Sequence, residues 1–198
     1  LREGEAIALF DGTGGEVPAT LSRIDKRTVD IATGEHVSVE RESAMRITLY
    51  AALIANDRMD WMIQKATELG VAAIQPLYSE RSQRIPGDVN KRAEHWRGVV
   101  IAACEQCGRN QLPTVQAPIA LSDAMAATSG ANNVLMDADG LAAPVGGAAA
   151  VNVFVGPEGG YSPNELTQLR AHCDTKLRIG QTVLRAETAA IAAVSVLI

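Results

Sequence analysis

Two stretches of this 198-residue chain run strand, glycine turn, helix in quick succession, and that repetition restricts the fold more than any other feature. In the first, Ala150-Val151-Asn152-Val153-Phe154-Val155 reads as a buried strand that empties into Gly156-Pro157-Glu158-Gly159-Gly160. Glycines there let backbone N–H groups come close to a ligand. Ser162 then opens a helix, with Pro163 at its first position and Glu165 completing a capping box. In the second, Lys176-Leu177-Arg178-Ile179 reads as a strand stopped by Gly180, and an alanine-rich helix begins near Arg185. Two such loops lying side by side would sit where open α/β sheets bind ligands.

A lone glycine pair is ordinary turn chemistry, so the charged residues in these loops carry the argument. Glu158 stands inside the first turn, while Arg185, Glu187 and Thr188 crowd the start of a helix that is otherwise nearly all apolar. Solubility alone does not require that clustering. The first loop fits neither G-x-x-x-x-G-K-[ST] nor G-x-G-x-x-G, which argues against a phosphate cradle.

Upstream, strands and helices alternate from Met45 onward. Residues 47–53 read as a strand, and Asp57 can cap a helix whose apolar face is Met59, Met62, Ile63, Ala66 and Leu69, ended by Gly70. Val71 to Leu77 is the next strand, a long helix follows from about Asn90 to Cys107, and Val134-Leu135-Met136 is a third strand. This alternation predicts a mainly parallel sheet with helices on both faces. General chain topology favours an unknotted, doubly wound arrangement. Residues 3–40 differ: short β-type runs such as Ala6–Phe10 are broken by turns such as Asp11-Gly12-Thr13-Gly14-Gly15, which predicts a small separate β domain. Residues 141–150 form a small-residue loop.

Composition narrows the function. A net charge of −5 argues against a binder that simply neutralises nucleic-acid phosphate, so an RNA enzyme of this sequence needs a local basic patch. Arg81, Arg84, Lys91, Arg92, Arg97 and Arg109 offer one, although such charges commonly form a solvated face. No uncharged apolar run reaches the roughly 20 residues that span a bilayer, and no basic-then-apolar leader opens the chain. A cytoplasmic protein without membrane contact is expected. The C-x-x-C spacing of Cys104 and Cys107 falls on a helical stripe with Trp96, Val99, Val100 and Ala103, which makes both thiols core side chains; Cys173 is alone, and no metal is expected.

Four motifs in order carry a resemblance to a known family: Asp57 to Val71, Ser79-Glu80-Arg81-Ser82, Glu105-Gln106-Cys107-Gly108-Arg109-Asn110, and the two C-terminal loops. Each is weak to moderate alone and specific in combination. The chain resembles the ribosomal RNA small subunit methyltransferase E family, within the SPOUT class of S-adenosylmethionine-dependent RNA methyltransferases. Ala55 and Cys107 stand where that family tends to carry lysine and serine.

The resemblance implies a SPOUT-type domain over residues 45–198 with a C-terminal trefoil knot, overriding the unknotted expectation. It also implies a PUA-like β-barrel domain over residues 1–44, whose N-terminal part is expected to be missing here. S-adenosylmethionine would lie in a bent shape among Leu135, Met136, Gly156, Pro157, Glu158, Gly159, Gly160, Ile179, Gly180, Leu184, Thr188 and Ala189. The implied reaction methylates N3 of a uridine, position 1498, in the 16S rRNA of the small ribosomal subunit. Arg185 would stabilise the uracil anion or its carbonyls, and Glu187 would orient that arginine or assist proton removal. Arg81 and Arg109 would hold RNA phosphate or the target base, across a dimer interface if the enzyme is a homodimer. The nearly all-apolar terminal helix gives that assembly a separate motive, since it asks for packing on more than one side. A SPOUT-fold tRNA methyltransferase and a non-catalytic RNA-binding assembly factor are the alternatives.

Overall fold

A computed structural model describes residues 1–84, 87–141 and 149–198. The N-terminal strands β1 (Ala6–Leu9), β2 (Val17–Ile24) and β3 (Val29–Thr33) form a three-stranded antiparallel sheet in sequential order. The chain then builds a second sheet from β4 (Arg46–Ala52), helix α1 (Asn56–Glu68), β5 (Ala73–Tyr78), α2 (Val89–Cys107), the short β6 (Thr114–Val115) and β7 (Ile119–Ala120), and α3 (Leu121–Ala127). It continues through β8 (Asn133–Leu141), β9 (Ala150–Val155), α4 (Pro163–His172), β10 (Thr175–Leu177) and α5 (Ala186–Leu197). Strand order is β10-β8-β9-β4-β5-β6, with β7 also on β5, and every pairing is parallel.

Helices cover both faces, as the alternation predicts. Ile47, Leu49 and Ala51 alternate to one side of β4 and pack with Met59, Met62 and Ile63 of α1, Trp96 and Val100 of α2, and Ala190 and Val194 of α5. On the other face Leu135 and Phe154 meet Leu121 and Ala124 of α3 and Leu169 of α4, with Tyr50 stacked on Phe154 at 4.8 Å between ring centroids. Burying both faces explains why the strands read as apolar runs.

Three expectations need correcting. Asp57 does not cap α1: the N-cap is Ala55, which makes no side-chain cap, and Asp57 lies in the first turn. The last sheet strand stops at Leu177, two residues short of Ile179. Helix α3 and the two short strands escaped prediction because seven-residue and two-residue elements show too few periods. The terminating role of Gly70 holds, with φ at +94°. Of the small-residue loop, residues 142–148 lie outside the described residues.

Two topological details set up the site. The connections leaving β4 and β9, which are neighbours, depart to opposite faces: β4 feeds α1 and β9 feeds α4. That switch opens a crevice at the carboxyl ends of the strands. In addition, the register of β8 on β10 jumps, so that Lys176 pairs with Leu135 but Leu177 pairs with Leu141. Residues 136–140 therefore bow away from regular pairing beside that crevice. Gly140 closes the bow: a Cβ placed on it would lie 2.5 Å from the Lys176 carbonyl oxygen. Gly140→Ala is expected to destabilise the protein by about 2 kcal/mol, because backbone rather than a flexible side chain must yield. An unchanged urea midpoint would refute this close approach.

Candidate functional site

The crevice holds a cavity of about 520 Å³. One wall is the loop after β9, with Gly156, Pro157, Glu158 and Gly160; the opposite wall is Thr182, Val183, Leu184 and Arg185, leading into Ala186 and Ala189 of α5. Met136, Asp137, Ala138 and Asp139 from the bow of β8 form the floor.

The first loop is fixed at both ends. Ser162 caps α4 as the sequence predicts, its Oγ accepting from the Glu165 N–H at 3.3 Å while Glu165 Oε2 accepts from the Ser162 N–H at 2.9 Å. The other oxygen of Glu165 accepts from the Glu80 N–H at 2.8 Å, which ties in the segment after β5. Arg81 adds a strap, donating from Nη1 to the carbonyls of Gly159 at 3.0 Å and Tyr161 at 3.4 Å. Gly156 packs closely on the Tyr161 ring, which a Cβ would meet at 3.1 Å and push aside by a few tenths of an ångström. Burial drives the pKa of the Tyr161 hydroxyl strongly upward, so this ring is an uncharged wall.

Charge is distributed unevenly around the cavity. Arg170 of α4 grips Asp137 through Nε at 2.6 Å and Nη2 at 2.9 Å, and also reaches Asp139 at 2.8 Å. Those bonds hold the Asp137 carboxyl below the usual carboxylate range and push the guanidinium upward, so the pair is ionised at neutral pH. Arg185 behaves differently. It is the N-cap residue of α5, its side chain is exposed at the cavity wall, and it has no ion-pair partner among the described residues.

Of the residues expected to hold a cofactor, Met136, Gly156, Pro157, Glu158, Gly160, Ile179, Leu184 and Ala189 line the cavity, and Arg185 joins them. Leu135 does not, because its side chain is wholly buried in the core beneath α4. Gly159 faces Arg81, with a Cβ position 3.7 Å from that side chain, while Gly180 and Thr188 are exposed outside the lining. Glu187 is buried and also absent from the lining; the nearest cation is Arg58, with Nε 3.9 Å from Oε1, and no ion pair with Arg185 occurs among the described residues.

Arg109, expected at the RNA, is held inside the fold. Only 6% exposed, it donates to both oxygens of Glu42 and to the carbonyls of Thr67 and Val71 at 2.8 and 3.1 Å. Four of its five N–H donors are taken up inside the fold. The exposed cations of the expected basic patch are then Arg81, Arg84, Lys91 and Arg97, with Arg92 set over Trp96 at 5.9 Å from the ring centroid.

Sequence reasoning missed Arg58, Asp137, Asp139, Arg170 and Arg178, all of which line the cavity. Arg58 had a usable signal, being in the first turn of the helix that follows the central strand β4. Cys104 is fully buried and its thiol pKa is pushed up to about 11 by burial; Cys173 is buried likewise, with its pKa raised to about 12. Cys107, however, is only partly buried. Among the described residues no cluster of His, Cys, Asp and Glu has metal-binding geometry, and no helix is long and apolar enough to cross a membrane.

Known proteins with the same architecture carry informative names. A family model described as an RNA methyltransferase domain matches residues 41–198. A solved structure from Legionella pneumophila with bound S-adenosylmethionine superposes with a TM-score of 0.89 at 37% identity, over 100% of this chain and 84% of that one. A crystal structure of a ribosomal RNA small subunit methyltransferase E from Neisseria gonorrhoeae, also bound to S-adenosylmethionine, gives 0.88 at 35% identity, over 98% and 83%. A protein of that same name from Synechocystis is 31% identical over 96% of this chain, which spans 64% of the length of that relative.

Proposed function

The chain belongs to the RNA methyltransferase family, in the ribosomal RNA small subunit methyltransferase E group, and from that premise we propose that it methylates N3 of a uridine, position 1498, in small-subunit rRNA. The observation that carries the reading is the cavity between the two glycine loops, with an arginine at its wall that has no ion-pair partner among the described residues.

The residues present fit S-adenosylmethionine. Met136, Ile179, Leu184 and Ala189 give apolar walls for an adenine, and the Gly156 to Gly160 turn gives close backbone approach. When bound there, the cofactor supplies an electrophilic methyl carbon on a sulfonium. The chain's own task is to bring a flipped uracil beside it and to make loss of the N3 proton easier. Arg185 does the second by placing a fixed positive charge where the uracil anion develops. Glu187 is too enclosed to reach a base and acts through its neighbour Arg58 instead. Arg81 holds the first loop through one nitrogen and is exposed, so it can also meet RNA.

In the same proposal, residues 45–198 are the SPOUT methyltransferase domain and residues 1–44 contribute a PUA-like RNA-binding part. The knotted C-terminus in this proposal rests on the family resemblance; α5, which follows the outermost strand β10, crosses back over β8, β9 and β4 to pack on α1. Support for a homodimer lies in the exposed Trp61 and Val196 on those two helices.

Because the net charge is −5, recognition should depend on the assembled small subunit rather than on naked RNA. Undermethylated subunits and a short RNA hairpin are offered at equal salt, and the product nucleoside is identified by mass spectrometry. N3-methyluridine should form much faster on the particle. A different nucleoside, or no transfer at all, defeats the assigned reaction; equal rates on hairpin and particle defeat the assembled-substrate part alone.

A further inference from the structure

The start of α1 reaches both the first loop, at Glu158, and the helix that follows the second, at Glu187. Ala55, the N-cap, has no capping side chain, and its N–H donates instead to Glu158 Oε1 at 3.1 Å, across 103 residues of sequence. The carboxylate also lies at the positive end of the helix dipole. One turn along, Arg58 places Nη1 3.6 Å from Glu158 Oε1 and Nε 3.9 Å from Glu187 Oε1. Glu158 belongs to the first loop and Glu187 to the helix that closes the second, so one guanidinium stands between an acid from each.

These separations exceed hydrogen-bond length, which makes the link electrostatic rather than bidentate. Burial gives it weight. The Glu187 side chain is 7% exposed, and its Oε2 has no hydrogen-bond partner among the described residues. Without Arg58, a buried carboxylate would lose its nearest cation, and Glu158 would keep only the Ala55 N–H and the helix dipole. Two carboxylates would then lie on either side of the vacated guanidinium position with no cation between them.

We propose that Arg58 is a positioning residue, which sets the spacing of the two cofactor loops by holding Glu158 and Glu187 on either side of its guanidinium. This rests on the reading of the cavity as an S-adenosylmethionine site. Arg58 itself lines that cavity, so a change in its charge reaches the pocket directly.

The test uses the full chain, with S-adenosylmethionine and its demethylated product as probes in titration calorimetry and the thermal midpoint recorded alongside. R58M keeps the length of the side chain and removes its charge; it should weaken binding of both probes roughly tenfold. R58K restores a charge at the same place and should recover most of that loss. R58M/E187Q is the sharper variant: removing the stranded carboxylate should bring affinity back to within about threefold of wild type, a rescue that a purely structural arginine would not show. R58M with wild-type affinity overturns the proposal, as does a double variant weaker than R58M. If R58M fails to fold, R58K and the double variant decide, and failure of both to fold makes Arg58 a structural tie and rejects the positioning role. Wild-type protein that binds neither probe instead rejects the cofactor reading itself.

Discussion

Arg185→Ala is expected to lower the rate of methyl transfer by about 100-fold or more while changing cofactor affinity by less than about tenfold, the scale of losing one fixed donor to a developing anion. The asymmetry follows from where the residue sits. As the N-cap of α5 it precedes a helix whose packing comes from Ala186, Ala190, Ala193, Val194 and Leu197, so truncating an exposed side chain leaves that packing intact. Its backbone carbonyl still accepts from the Ala189 N–H at 2.8 Å. What disappears is a charge with no acidic partner among the described residues, at the wall of a cavity otherwise bounded there by Thr182, Val183 and Leu184. Single-turnover rates on undermethylated subunits, measured beside calorimetric affinity, separate the two effects. Equal losses in rate and affinity would make Arg185 a cofactor ligand, and an unchanged rate would remove it from the chemistry.

Both strand-loop-helix blocks were legible in the sequence because their signals are local. A strand of six apolar-rich residues, a capping box with proline at its first position and an N-cap at Arg185 all lie within a few residues of their effects. The cavity floor was not legible. Asp137 and Asp139 belong to a stretch of β8 that bows out of register, and the two-residue period that reveals a strand says nothing about such a bow. Leu135 and Met136 show the same limit from the other side: neighbours in sequence, they point to opposite faces, one into the core and the other into the cavity. Arg58 and Glu187 depend on partners over a hundred residues apart, and only the order of the strands brings them together.

Arg81 and Arg109 looked equivalent as two arginines in motifs of the same family, and the difference between them is burial. Arg109→Ala is expected to destabilise the protein by about 3 kcal/mol or more, the usual cost of removing one partner from a buried ion pair. Glu42, with a side chain 19% exposed, would lose both of its guanidinium contacts. The carbonyls of Thr67 and Val71 would lose a donor at the C-terminal end of α1, where a positive charge also meets the negative end of the helix dipole. The damage should spread to the N-terminal sheet, because the residues next to Arg109 hold it in place. Asn110 Nδ2 donates to the Val39 carbonyl at 2.8 Å, the Gly14 N–H donates to the Asn110 carbonyl at 3.1 Å, and the Leu112 N–H donates to the Gly12 carbonyl at 3.1 Å. Proteolysis should therefore accelerate between residues 34 and 45, ahead of global unfolding in urea. Arg109→Lys should recover only part of the stability, since one ammonium cannot reach a carboxylate and two carbonyls in the geometry of the planar fork. If Arg109→Ala instead keeps its urea midpoint and loses RNA affinity alone, the arginine contacts RNA after all and its burial must open on binding.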